Sequence, residues 1–147
     1  MKDLVFIVED NLVQQKVLKA HFEEVLGNYS VRTFLTPVDL INQLKAKPFA
    51  VVLDHFFAPD AETGLHYLIE VKKRYPKIPI IYHTTCDDNA VREQAMALGA
   101  EHYIIKDTAS MVRLRTALDL IHGKTVKEKN YWRTWFLDSF LGGSSPS

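Results

Sequence analysis

Val51-Val52-Leu53-Asp54 is the stretch from which this chain can be read. Three apolar residues, two of them β-branched, run straight into a carboxylate. That is the pattern of a buried parallel strand ending at a reactive edge. Two other apolar runs finish the same way: Leu4-Val5-Phe6-Ile7-Val8 meets Glu9-Asp10, and Ile78-Pro79-Ile80-Ile81-Tyr82-His83 meets Thr84-Thr85. A shorter run, Tyr103-Ile104-Ile105, ends in Lys106. Ligands of open α/β sheets gather outside the carboxyl ends of the strands. Parallel neighbours would therefore bring three carboxylates, a hydroxyl and an ammonium to one edge.

Helical patterns fill the gaps between these runs. After Asp10-Asn11, Leu12, Val13, Val17, Leu18, Phe22, Val25 and Leu26 recur at helical spacing up to a stop at Gly27-Asn28. Tyr29 to Phe34 alternates like a strand. Thr36-Pro37 is a capping residue followed by proline, which opens a helix through Leu44. A loop from His55 to Thr63 leads to a helix with Leu65, Leu68 and Ile69 inward, ending near Tyr75-Pro76. Asp87-Asp88-Asn89 caps a further helix closed by Gly99, and another runs from about Ser110 to His122. Five alternations of strand and helix with short links predict a doubly wound five-stranded parallel sheet covered on both faces.

Composition narrows the function classes. Lys plus Arg and Asp plus Glu are each 18 in 147 residues, so the formal charge is zero. No basic field points to nucleic acid or to an anionic membrane. The apolar runs are strand-length, too short to span a bilayer, and no signal-peptide pattern opens the chain. The one cysteine, Cys86, leaves no internal disulfide framework. These features predict a soluble cytoplasmic protein.

Over roughly residues 3 to 122 the chain resembles the receiver domain of two-component response regulators. The resemblance rests on Glu9-Asp10, Asp54, Thr84 and Lys106 after successive strands, with Gly99-Ala100 and Tyr103 also in place. It implies the flavodoxin-like strand order 2-1-3-4-5. It further implies that Asp54 accepts a phosphoryl group from a histidine kinase or phosphotransfer protein, with Mg²⁺ held by Asp10, Asp54, Glu9 through water, and the backbone carbonyl of Phe56. Phosphoryl transfer asks a protein mainly for alignment and charge neutralisation. An all-oxygen acidic cluster suits Mg²⁺. Lys106 would pair with one phosphoryl oxygen and Thr84 would donate to another. Thr84 and Tyr103 are the implied switch pair.

The chain departs from the family pattern in three places. Asp107 follows Lys106 where the family commonly has proline, Thr85 follows Thr84 where alanine or glycine is usual, and the Asp54-to-Gly64 loop is about two residues longer. Two rival readings follow: a phosphorylation-independent pseudo-receiver acting as an interaction scaffold, and a phosphatase turning over an aspartyl-phosphate. Phe56 weighs against the second, since a haloacid-dehalogenase-type enzyme needs a second acid at that position. His55, His83 and Cys86 flank the site, but their spacing matches no transition-metal motif. The histidines read as accommodated polar residues.

The composition changes after Gly123, so residues 1–123 read as the receiver domain and 124–147 as an appendage. Lys124 to Lys129 reads as a linker. Tyr131, Trp132, Trp135, Phe136 and Phe140 then form an extra amphipathic helix, followed by a flexible Gly-Gly-Ser-Ser-Pro-Ser tail. That aromatic face predicts either packing back on the receiver or a homodimer surface. Resemblance offers a second homodimer surface, formed by the fourth helix, fifth strand and fifth helix.

Overall fold

The computed structural model describes residues 2–141 except 59 and 60; for residues 125, 126, 136, 140 and 141 it describes the backbone alone. The expected tail at 142–147 lies outside the described residues. The chain divides into two compact units, Met1–Leu114 and Arg115–Ser147.

The first unit is built on five strands: β1 (Asp3–Val8), β2 (Tyr29–Phe34), β3 (Ala50–Leu53), β4 (Ile80–Thr84) and β5 (His102–Ile105). They pair in parallel in the order β2-β1-β3-β4-β5, with helices on both sides of the sheet, as the resemblance implied. The β-branched and aromatic content of β1, β3 and β4 explains why they form the sheet's buried centre: Val5, Phe6, Ile7, Ala50, Val51, Ile80, Ile81 and Tyr82 are all 0% exposed. Strand alternation splits these residues between two faces. Phe6, Val8, Val51, Leu53, Ile80 and Tyr82 join one core with Leu40, Leu44, Tyr67, Leu68, Val71 and Ala95. Full burial of one such leucine contributes about 2 kcal/mol.

The helices of this unit are α1 (Leu12–Ala20), α2 (Pro37–Asn42), α3 (Gly64–Arg74) and α4 (Asn89–Ala97). The starts of α1, α2 and α4 are set by side chains that accept otherwise unpaired N–H groups: Asn11 from Gln14, Thr36 from Asp39 and Asp88 from Ala90. Two details escape periodicity. The helix after Thr36 ends at Asn42, with Leu44–Ala46 a separate 3-10 turn. The first helix passes into a π-helical turn, His21–Leu26, closed by Gly27 at φ 74. That turn presents Glu23 to β2, the edge strand. Glu23 accepts from Val31 N–H at 3.0 Å, and Lys19 donates to the Val31 carbonyl at 2.9 Å. Both edge-facing backbone groups of Val31 are thereby occupied, a device that discourages edge-to-edge pairing.

The last helix, α5, runs unbroken from Ser110 to Leu141. This corrects the expected stop near His122 and the linker at 124–129. A glycine inside a helix costs only about 1 kcal/mol relative to alanine, and lysine and glutamate are good helix formers. Neither Gly123 nor the run Lys124 to Lys129 contains a true helix breaker. Tyr131, Trp132 and Trp135 are each more than half exposed. Among the described residues no helix is long and apolar enough to cross a membrane.

Candidate functional site

Parallel pairing puts the carboxyl ends of β1, β3, β4 and β5 at one edge, which carries Glu9, Asp54, Thr84 and Lys106. Lys106 is the hub. Its Nζ donates to Asp54 Oδ2 at 2.6 Å and to Glu9 Oε2 at 2.8 Å, and all three side chains are largely buried. Burial works against the ammonium, but the hydrogen bonds and charges of Asp54 and Glu9 outweigh it and raise the Lys106 pKa. Glu9 is fixed from its other side, where Oε1 accepts from Asn11 N–H at 3.1 Å. Asp54 Oδ1 accepts from His55 N–H at 2.6 Å. Each carboxylate thus spends one oxygen on backbone and one on Lys106.

The remaining expected residues fall out unevenly. Asp10 is exposed, and among the described residues no three acidic, histidine or cysteine side chains gather closely enough to hold a metal ion. Glu9 and Asp54 are brought together, then, while Asp10 stays outside the pair. Phe56 is exposed, its ring edge-on to His55. The donor chemistry nonetheless fits Mg²⁺: every candidate ligand is oxygen, and two carboxylates already converge on one cationic group.

Thr84 is fully buried, and its Oγ1 accepts from Cys86 N–H at 3.1 Å. The Tyr103 hydroxyl donates to the Cys86 carbonyl at 2.6 Å. The two expected switch residues therefore meet on the backbone of one residue, Cys86, which sequence reasoning treated only as a neighbour. Burial, then the hydrogen bond to Cys86, raises the Tyr103 pKa. Arg92 lies over the Tyr103 ring at 5.1 Å from its centroid, a cation–π contact from α4.

His55 and Tyr82 were missed as site residues. His55 Nδ1 and the Tyr82 hydroxyl are 2.6 Å apart, although 27 positions separate them in sequence. No local pattern announces such a pair. Burial lowers the His55 pKa, against the opposing charges of Asp54 and Asp88. Gly64 completes this corner: a Cβ there would overlap the Asp54 carbonyl and the Tyr82 hydroxyl. Beside Lys106, a cavity of about 450 Å³ opens to solvent, lined in part by Glu9, Asn11, Gln14, His83, Thr85 and Asp107.

Residues 5–119 match the family model for the response regulator receiver domain, and the chain belongs to that family. Solved structures agree on the fold. A two-component response regulator of the LuxR family from Aurantimonas sp. superposes with TM-score 0.73 at 15% identity, covering 84% of this chain and 87% of that one. A chemotaxis response regulator of Vibrio cholerae gives 0.68 at 19%, covering 80% and 99%. The response regulator DrrB of Thermotoga maritima, an OmpR/PhoB homologue, gives 0.65 at 26%, covering 78% of this chain and 49% of that one. No curated protein matches the chain. Response regulators work with histidine kinases in two-component systems, and their receivers are signalling modules, generally not enzymes.

Proposed function

We propose that Asp54 is the phosphoacceptor of a two-component phosphorelay, loaded by a histidine kinase or phosphotransfer protein. The observation that carries this reading is the Lys106 ammonium held by Asp54 at 2.6 Å and Glu9 at 2.8 Å at the carboxyl edge of the sheet. A carboxylate that must accept a phosphoryl dianion needs positive charge already fixed beside it.

In the transfer, one Asp54 oxygen forms the bond to phosphorus while the bond from phosphorus to the donor's leaving group breaks. Lys106 stays paired through the step by passing from Asp54 to a phosphoryl oxygen. Asp54, Asp10, Glu9 through water, and the Phe56 carbonyl are the residues that would hold Mg²⁺, which neutralises the transferring oxygens when bound. Thr84 turns toward the new phosphoryl group by giving up its bond to Cys86 N–H. Tyr103 then loses a fixed acceptor and moves inward, changing the face of α4, β5 and α5.

The experiment is phosphorylation by acetyl phosphate, with and without Mg²⁺, in the parent, Asp10→Asn and Lys106→Ala. The parent should label only with Mg²⁺, Asp10→Asn should not label, and Lys106→Ala should label far more slowly. Labelling that ignores both the metal and Asp10 defeats the metal assignment, and a parent that never labels favours the interaction-scaffold reading.

A further inference from the structure

Tyr82 carries a group that the sheet does not need. It is 0% exposed in the middle of β4, where phenylalanine would fill the same space without burying a hydroxyl. A buried hydroxyl is tolerated only when bonded. Its partner is His55 Nδ1 at 2.6 Å, on the residue directly after the proposed acceptor.

His55 has three anchors. Its backbone N–H donates to Asp54 Oδ1 at 2.6 Å, its carbonyl accepts from Gly64 N–H at 2.9 Å, and its ring is held by Tyr82. The first fixes the Asp54 carboxylate with Oδ2 toward Lys106, and the second ties the end of the loop to its start. Of the three anchors, the ring anchor is the one made to β4, through a side chain that is fully buried. Leu53 and Tyr103 flank Tyr82 in register, and the Tyr103 ring stacks on it at 5.3 Å with 22° between planes. Gly64 lies so close to the Tyr82 hydroxyl that no other residue fits there.

We propose that Tyr82 is a positioning residue for phosphorylation: its hydroxyl, acting through His55, holds the Asp54 carboxylate in the orientation that meets Lys106. This rests on the reading of Asp54 as phosphoacceptor for its kinetic consequence, though not for its structural one. Losing the hydroxyl leaves the ring stack and core volume in place but frees the His55 side chain. The His55 N–H then wanders from Oδ1, and the carboxylate spends less time facing the donor.

Tyr82→Phe, His55→Phe and the double variant form the test, with two readouts. In metal-free protein, amide exchange at His55 and Gly64 should quicken about five-fold in Tyr82→Phe, the worth of one neutral hydrogen bond. Exchange at Ile80 and Ile81 should stay at the parent rate, separating local release from general destabilisation. With acetyl phosphate, the maximal labelling rate should fall by a similar factor while half-saturation by the donor is unchanged. The double variant should be no slower than either single one, because both remove the same bond. Parent-like exchange at His55 and Gly64 in Tyr82→Phe overturns the proposal, as does a double variant whose rate loss is the product of the two single losses. If the parent itself takes no phosphoryl group, the functional reading fails and the exchange arm still decides this one.

Discussion

Adjacent residues of β4 point to opposite faces of the sheet, and the molecule treats their polar groups differently. On one face, Tyr82 and Thr84 are fully buried and bonded, Tyr82 to His55 and Thr84 to the Cys86 backbone. On the other, His83 is 6% exposed, and among the described residues its Nε2 has no hydrogen-bond partner. The first face is a polar corner beside Asp54, with close tolerances. The second holds an imidazole that stays neutral because burial, with the Lys106 charge beside it, pushes its pKa down to about 4. Burying polar groups is therefore not in itself the mark of the site. Being joined to one another and to Asp54 is.

The largest expected effect breaks the connected corner directly. Gly64→Ala places a methyl group on the Asp54 carbonyl and the Tyr82 hydroxyl, and should cost about 3 kcal/mol of stability. Gly123→Ala is the internal control: nothing lies within 4 Å, so stability should rise by up to about 1 kcal/mol. Urea unfolding of the two variants checks both signs. Equal midpoints would mean that Gly64 is not a close-packed position.

Next comes the opposite face, through pH. An unfolded histidine titrates near 6.5, and His83 in the fold near 4. Between those values the unfolded chain binds a proton that the folded one refuses. Stability from this group is therefore complete above 6.5 and is lost as pH falls toward 4, by on the order of 3 kcal/mol. Glu23 and Asp107, both with lowered pKa, lose their contributions only below about the ordinary carboxylate range. Stability measured from pH 7 to 4.5 should slope downward in the parent and be flatter in His83→Val. A parallel pair of curves would remove His83 as the cause.

A smaller change sharpens the first face. Tyr103→Phe removes the bond to the Cys86 carbonyl but keeps the ring stacked on Tyr82, and should cost about 1 kcal/mol. Amide exchange at Cys86 should quicken in that variant. An unchanged rate would mean that the Thr84–Cys86 bond alone holds this turn.

What could be read in the sequence follows from how local each signal is. Val51-Val52-Leu53-Asp54 and its counterparts carry strand, burial and site in consecutive residues, so the sheet and the positions of Glu9, Asp54 and Lys106 were legible. The strand order came by resemblance, because periodicity alone does not say which strands are neighbours. The unbroken α5 was not legible: a lone glycine and a lysine-rich run resemble a linker, yet neither breaks a helix. The π-helical turn keeps the apolar spacing of an ordinary helix, and so left no trace. The His55–Tyr82 bond and the shared Cys86 backbone join residues brought together only by the register of β3, β4 and β5.

Where the phosphoryl group goes is the most direct test of Asp54 as the acceptor. Protein labelled with acetyl phosphate and Mg²⁺ can be reduced with borohydride, which converts an acyl phosphate into a stable alcohol, and then mapped by peptide mass spectrometry. One modified residue is expected, Asp54, and no modification in Asp54→Asn. A label on Glu9 or Asp10 in the parent, or an Asp54→Asn protein that labels as readily as the parent, would contradict it.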